Sequence, residues 1–156
     1  MKSKRISLIT RAAAIAALYA ALTLIFEPIS FGPMQVRISE VLTVLPAYTP
    51  AALPGLFIGC AISNLYMGSM VDVIAGSLAT LIAALLSYLL RRHRFLVPLP
   101  PVVCNALVIP FVLKYAYHVD ETVPFLMLTI GAGQLIACYL IGIPFMLALD
   151  RLFKSL

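Results

Sequence analysis

Apolar residues in this chain come in runs that are long and barely interrupted. Ile6 to Phe26 is apolar except for Arg11 near its start and a few small hydroxyls. Val71 to Leu90, Leu99 to Tyr117 and Val123 to Leu149 repeat the pattern. A hydrocarbon core of about 30 Å is crossed by about 20 residues of helix, so each run predicts a transmembrane helix. The first run is long, and no small-residue cleavage site followed by a polar mature region comes after it. It therefore reads as a span rather than a secretory leader. The stretch from Ile38 to Tyr66 is also apolar but carries Pro46, Pro50 and Pro54. Each proline removes a backbone donor and clashes with the preceding turn, which excludes one straight helix.

Charge sets how that middle stretch is threaded. Nine of the eleven Lys and Arg fall in three clusters: Lys2, Lys4, Arg5 and Arg11; Arg91, Arg92 and Arg94; Arg151 and Lys154. Basic loops stay cytoplasmic, so an even number of crossings separates each cluster from the next. The middle stretch then crosses twice or not at all. We read it as two crossings: a short helix from Ile38 to Tyr48, a cytoplasmic turn at Thr49-Pro50, and a return helix to Tyr66. At 1.5 Å per residue the short helix rises only about 16 Å. A re-entrant loop satisfies the same charge rule. The expected fold is an all-α membrane bundle of six helices with both termini cytoplasmic, one transmembrane domain over residues 1–156. Five of the six acids, Glu27, Glu40, Asp72, Asp120 and Glu121, then lie in the outer half. No internal repeat supports an inverted-repeat transporter.

Composition narrows the function classes. The chain is 63% hydrophobic and 11% charged, against about 45–50% and about 25% in a soluble domain. Soluble enzymes, nucleic-acid binders and disordered tails are excluded. Cys60, Cys104 and Cys138 are scattered through apolar sequence, with neither zinc nor disulfide spacing, and read as buried inert thiols. No Walker-A glycine-lysine loop is present, so this chain is not its own ATPase. His93 and His118 lie in loops at opposite faces and cannot share a metal.

Candidate chemistry lies within the spans. Alanines recur four apart as Ala12, Ala16 and Ala20, and again as Ala13, Ala17 and Ala21. Small residues at that spacing let another helix backbone approach closely, either within the bundle or on an external partner. Polar groups at membrane depth point to function. Arg37 and Glu40, three apart, share a helix face and read either as an ion pair or as site residues. Asp72 falls in a helix first turn, with Ser69 as its cap, where the dipole favours an acid. Asn105 and Gln134 lie deeper, beside prolines and glycines that suggest locally opened backbone. Lys114 can snorkel to the headgroups. Tyr48, Tyr66, Tyr88, Tyr115 and Tyr117 fall at the interfaces. Carboxylates, amides and aromatics in the outer half suit a flat, hydrogen-bonding small molecule, and no charged lane continues inward. That pattern favours a pocket closed at the cytoplasmic end over a channel.

Three strings carry a resemblance: Phe31-Gly32-Pro33-Met34-Gln35-Val36-Arg37-Ile38-Ser39-Glu40 followed by Leu45-Pro46, Gly76-Ser77-Leu78-Ala79-Thr80-Leu81, and Pro98-Leu99-Pro100-Pro101-Val102-Val103-Cys104-Asn105-Ala106-Leu107. They resemble QueT-type proteins, the queuosine-precursor substrate-binding S-components of energy-coupling factor (ECF) transporters. The resemblance implies a six-helix protein of the plasma membrane, not an enzyme, with no cofactor in this chain. ATP would be hydrolysed by a pair of cytoplasmic partner ATPases, joined through a transmembrane coupling subunit. It implies docking of that subunit on an Ala-x-x-x-Ala pattern, matched by Ala13 and Ala17 with Ala12, Ala16, Ala20 and Ala21 beside them. It implies a 7-deazaguanine substrate, for which Glu40, Asn64, Tyr66, Asp72, Asn105 and Gln134 are the candidate ligands. The competing class is a self-sufficient membrane carrier or membrane enzyme working without an ATPase.

Overall fold

The computed structural model describes residues 2–31, 35–66 and 70–154, and among them only helices and connecting turns occur. Helix α1 (Lys2–Ile25) is followed by a short turn of helix, α2 (Glu27–Ser30). A 3-10 helix (Ile38–Ala47) leads into α3 (Ala52–Tyr66) and α4 (Met70–Leu89). A short 3-10 turn (Arg94–Leu96) precedes α5 (Leu99–Ala116). The last helical run is α6 (Val123–Leu135), a π-helix (Ile136–Ile141) and α7 (Gly142–Lys154). Four helical stretches are long and apolar enough to span a bilayer: Lys4–Ile25, Met70–Leu89, Arg94–Ala116 and Val123–Leu152. Ile38–Ala47 and Ala52–Tyr66 are apolar but shorter.

The surface is apolar, as a bilayer demands, and the largely apolar interior also encloses a set of polar side chains. Ile74, Leu128 and Leu140 are largely exposed, while Thr23, Ser39, Glu40, Asn64, Asn105 and Gln134 are buried. Helices α1 and α3 meet through small residues. A Cβ placed on Gly55 would lie 2.8 Å from the Ala12 carbonyl oxygen, and one on Gly59 would lie 2.8 Å from that of Ala16. This close backbone approach is what a small-xxx-small spacing permits. Ala12, Ala16 and Ala20 are therefore buried inside the bundle. Their assignment to an external interface is corrected, and only Ala13, Ala17 and Ala21 remain exposed.

The short helix differs from its expected winding. Ile38–Ala47 is 3-10, not α. At about 2.0 Å per residue its ten residues rise about 20 Å rather than the expected 16 Å. The Thr43 hydroxyl donates to the Glu40 carbonyl at 2.6 Å, three residues back. Pro46 has no N–H to offer an α-type ladder. Ser39 to Val44 and Pro46 are buried, so this segment has neighbours on every side.

The two ends of the bundle differ in charge. Thr49 and Pro50 share a groove with Lys4, Ser7, Leu8 and Arg11, so the turn lies at the basic end beside the start of α1. At the same end the single Tyr48 hydroxyl proton faces the Asp150 carboxylate and the Met146 carbonyl, 2.9 Å away, and Arg94 donates to the Tyr48 oxygen and pairs with Asp150. Burial, with Asp150 as acceptor, pushes the Tyr48 hydroxyl up to about 12, so it remains a donor across the physiological range. At the opposite end the Tyr117 hydroxyl donates to Asp72 at 2.6 Å, and Lys114 binds the carbonyls of Val119 and Asp120 at 3.0 and 3.2 Å. Lys114 thus fastens the α5–α6 loop rather than reaching for headgroups.

Candidate functional site

Several polar side chains that the spans bury meet in one region between α1, the 3-10 helix, α3, α4, α5 and α6. Glu40, fully buried, is presented by the first turn of the 3-10 helix. Its Oε1 accepts the Tyr19 hydroxyl of α1 at 2.6 Å. Asn105 of α5 lies beside the same carboxylate. Below it the Glu40 carbonyl meets Cys138 Sγ at 3.8 Å, and Cys138 donates to the Gln134 side-chain oxygen at 3.5 Å. A second chain of contacts centres on Cys60: Arg37 Nη1 at 3.9 Å, Asn64 Nδ2 at 3.4 Å and Thr80 Oγ1 at 3.4 Å. Asn64 also donates to the Asp72 carbonyl at 3.0 Å, linking the cluster to the acidic end.

Backbone approach holds these elements in place. The extended residues before the 3-10 helix lie directly on Gly133 of α6, where any Cβ would overlap the Gln35 carbonyl. On α4, a Cβ at Gly76 would come within 2.9 Å of Asn64 Nδ2. Both glycines act through close packing, which leaves the amides of α3 and α6 facing inward.

Several of these groups are incompletely partnered. Arg37 Nε, Glu40 Oε2, Asn64 Oδ1, Ser77 Oγ and Asn105 Nδ2 are buried with no partner in good hydrogen-bond geometry, although Asn105 faces the Glu40 carboxylate and Arg37 faces Tyr19. Buried polar atoms are normally paired, and each one left open destabilises the fold by about 1–3 kcal/mol. The set includes donors (Arg37 Nε–H and the Asn105 amide) and acceptors (Glu40 Oε2 and Asn64 Oδ1). A rigid molecule with both donors and acceptors on its rim would complete them. Among the described residues, no group of three His, Cys, Asp or Glu side chains is placed to hold a metal ion.

The sequence-predicted candidates separate under this geometry. Glu40, Asn64, Asn105 and Gln134 are brought together. Asp72 is nearly buried but sits further out, its carboxylate already bound by Tyr117. Its proposed cap Ser69 lies outside the described residues. Tyr66 is 72% exposed and does not join the cluster. The expected Arg37–Glu40 ion pair does not form; among the described residues the ion pair is Arg94–Asp150. Arg37 precedes the helix in extended backbone, with its guanidinium 5.0 Å from the Phe31 ring centre, and it shares Tyr19 with Glu40 as a neighbour without pairing directly. Tyr19 and Thr80 were missed. A lone phenol among mid-span alanines was the signal for Tyr19. Cys60 and Cys138, read as inert, are the links between the amides.

The sequence matches the family model described as QueT transporter over residues 9–151. A protein named queuosine precursor transporter QueT, from Lactococcus lactis subsp. cremoris (strain MG1363), is 41% identical over 91 residues, covering 57% of this chain and 53% of that relative. The chain thus spans about half the length of that curated relative. No solved structure matches.

Proposed function

Because this chain belongs to the QueT transporter family, we propose that it is the substrate-binding S-component of an ATP-driven ECF importer, capturing a queuosine precursor from outside. The carrying observation is the set of buried, open hydrogen-bonding atoms around Glu40. A 7-deazaguanine presents two adjacent N–H donors, which one carboxylate accepts together, and a carbonyl oxygen that wants a donor. Glu40 Oε2 supplies the first and the Asn105 amide the second. Arg37 Nε and Asn64 Oδ1 remain for the substituent and the far rim. The 7-aminomethyl form adds a cation, which Asp72 would meet on the outer side. ATP hydrolysis belongs to partner ATPases, reached through a coupling subunit, since this chain carries no phosphate loop.

Six crossings fit this role, with Ile38–Ala47 descending to the basic end and Ala52–Tyr66 returning. Single cysteines at Thr49 and His93, in a background with Cys60, Cys104 and Cys138 replaced by serine, should be shielded from an impermeant thiol reagent added outside. Labelling at Thr49 would sink the six-crossing reading.

Exposed Ala13 and Ala17 form the surface for the coupling subunit. Ala13→Leu and Ala17→Leu should block close helix approach. The expected result is loss of co-purification with the coupling subunit and its ATPases, with an unchanged melting temperature for the isolated chain. Calorimetric titration with 7-aminomethyl-7-deazaguanine tests the substrate directly. Uptake by this chain alone, in vesicles lacking any ATPase, would refute the S-component reading.

A further inference from the structure

Arg11 interrupts an otherwise apolar span, and neither the site around Glu40 nor the exposed alanine row uses it. It stands where two hollows adjoin at the basic end. One, of about 400 Å³, is walled by Lys4, Ser7, Arg11 and Thr49. The other, of about 470 Å³, shares Arg11 and Thr49 and continues along Ala14, Ile15, Leu45, Tyr48 and Leu149. Together they form one groove that is cationic and hydroxyl-lined at its mouth and, apart from Tyr48, apolar at its deeper end. Lys4 and Arg11 are seven residues apart, about 10 Å along a helix, and they share a face with Ala14 and Ile15. Ala13 and Ala17 lie about 120–160° round α1 from Arg11, whereas Ala21, seven residues from Ala14, shares that residue's side. Among the described residues no acid lines either hollow, and Asp150 reaches only Tyr48 on the wall of the second. Asp150, the acid at this end, is already taken by Arg94 and Tyr48.

We propose that this groove holds one anionic phospholipid of the leaflet at the basic end, with its phosphate between Lys4 and Arg11 and an acyl chain along Leu45 and Leu149. Charge complementarity selects the headgroup, since two cations without a counter-acid attract a phosphodiester that carries net negative charge. The apolar continuation selects a lipid over a free phosphate, because a soluble anion would leave the deeper hollow unfilled. A long cationic side chain at this depth reaches headgroup phosphate while its stem covers apolar surface. The sequence interruption at Arg11 then has a function at the membrane interface. The site is independent of substrate capture.

The test is native mass spectrometry of the full chain from neutral detergent, titrated with dioleoyl-phosphatidylglycerol or dioleoyl-phosphatidylcholine. One phosphatidylglycerol should be retained in preference to phosphatidylcholine. A juxtamembrane cation contributes about fivefold in affinity for anionic lipid, so Lys4→Ala and Arg11→Ala should each weaken retention about fivefold and together about thirtyfold. Arg11→Lys should restore it. Leu149→Trp, which fills the deeper hollow, should expel the lipid with both cations intact. Equal retention of the two lipids, or no change in the double alanine variant, overturns the proposal. So does competition by millimolar glycerol 3-phosphate equal to that by lipid, which would mark a soluble-anion site. A double variant that keeps its lipid preference but loses assembly with the coupling subunit would make the groove a protein-docking surface instead. Calorimetry with 7-aminomethyl-7-deazaguanine, unchanged in the double variant, confirms a folded chain and keeps this result separate from the substrate reading.

Discussion

Glu40→Gln is expected to weaken binding of 7-aminomethyl-7-deazaguanine by roughly one to two powers of ten, from lost charge-assisted bonds of about 1.5–3 kcal/mol each at 1.4 kcal/mol per tenfold. The open oxygen Oε2 is the atom offered to ligand, because Oε1 is already held by Tyr19. Glutamine keeps the shape but loses the charge, and its amide can present a donor where the ligand also donates. Tyr19→Phe is the companion variant. It removes the hydroxyl that holds Oε1 without touching Oε2, so its effect on affinity should be smaller. A purely structural Glu40 predicts the opposite pattern: a lower melting temperature in both variants and unchanged affinity in the folded fraction. Calorimetry beside a melting curve separates the two outcomes.

A large effect on stability is expected at Gly59, where two helices meet. A Cβ there would sit 2.8 Å from both the Ala16 carbonyl oxygen and Tyr19 Cβ. Neither neighbour is the free end of a flexible chain, so α1 and α3 must move apart. Gly59→Ala should destabilise by about 1–3 kcal/mol, the usual range for overpacking. Gly59→Leu should abolish the folded monomer in detergent, read as lost monodisperse elution. Because Tyr19 moves with α1, Gly59→Ala should also loosen the grip on Glu40 and reduce ligand affinity. An equally bulky change at exposed Ala13 should leave the melting temperature where it was. The same helix therefore carries one row of alanines that the fold needs and another that it leaves open.

The positions of the long helices were legible because a bilayer fixes both their length and their apolar character. The run from Val71 was found as a helix from Met70, and the run from Leu99 begins at Leu99. Charge parity left two threadings of the middle stretch open, and it is the shared groove that puts Thr49-Pro50 beside Lys4 and Arg11. Which alanine row faces inward was not legible, because the answer lies in another helix: Gly55 and Gly59 meet Ala12 and Ala16. For the site, the buried carboxylate and amides could be read as costly polar residues at membrane depth. Their grouping could not. Asn64 and Tyr66 are two residues apart on α3, about 200° around the helix at 3.6 residues per turn, so one turns inward and the other outward. The Arg37–Glu40 spacing misled for a related reason, since a three-residue rule applies only when both residues lie inside the helix.

The winding of Ile38–Ala47 has a mechanical consequence. In a 3-10 helix, side chains three apart eclipse into columns, and here they reach several neighbours at once: the Glu40 carboxylate meets Tyr19, Thr43 lies against Cys138, Val41 and Leu42 pack in the cluster with Tyr19 and Leu56, and Val44 packs against Val97 and Met146. One strut thus ties the carboxylate at its top to the Thr49 turn at its foot. Rewinding its ten residues as α-helix would shorten it by about 5 Å and rotate the columns out of alignment with their partners. The depth of Glu40 and the height of the basic-end turn cannot then change independently. The strut acts as a ruler whose length is set by its pitch, and a disturbance at either end is transmitted to the other as a translation along the bundle axis.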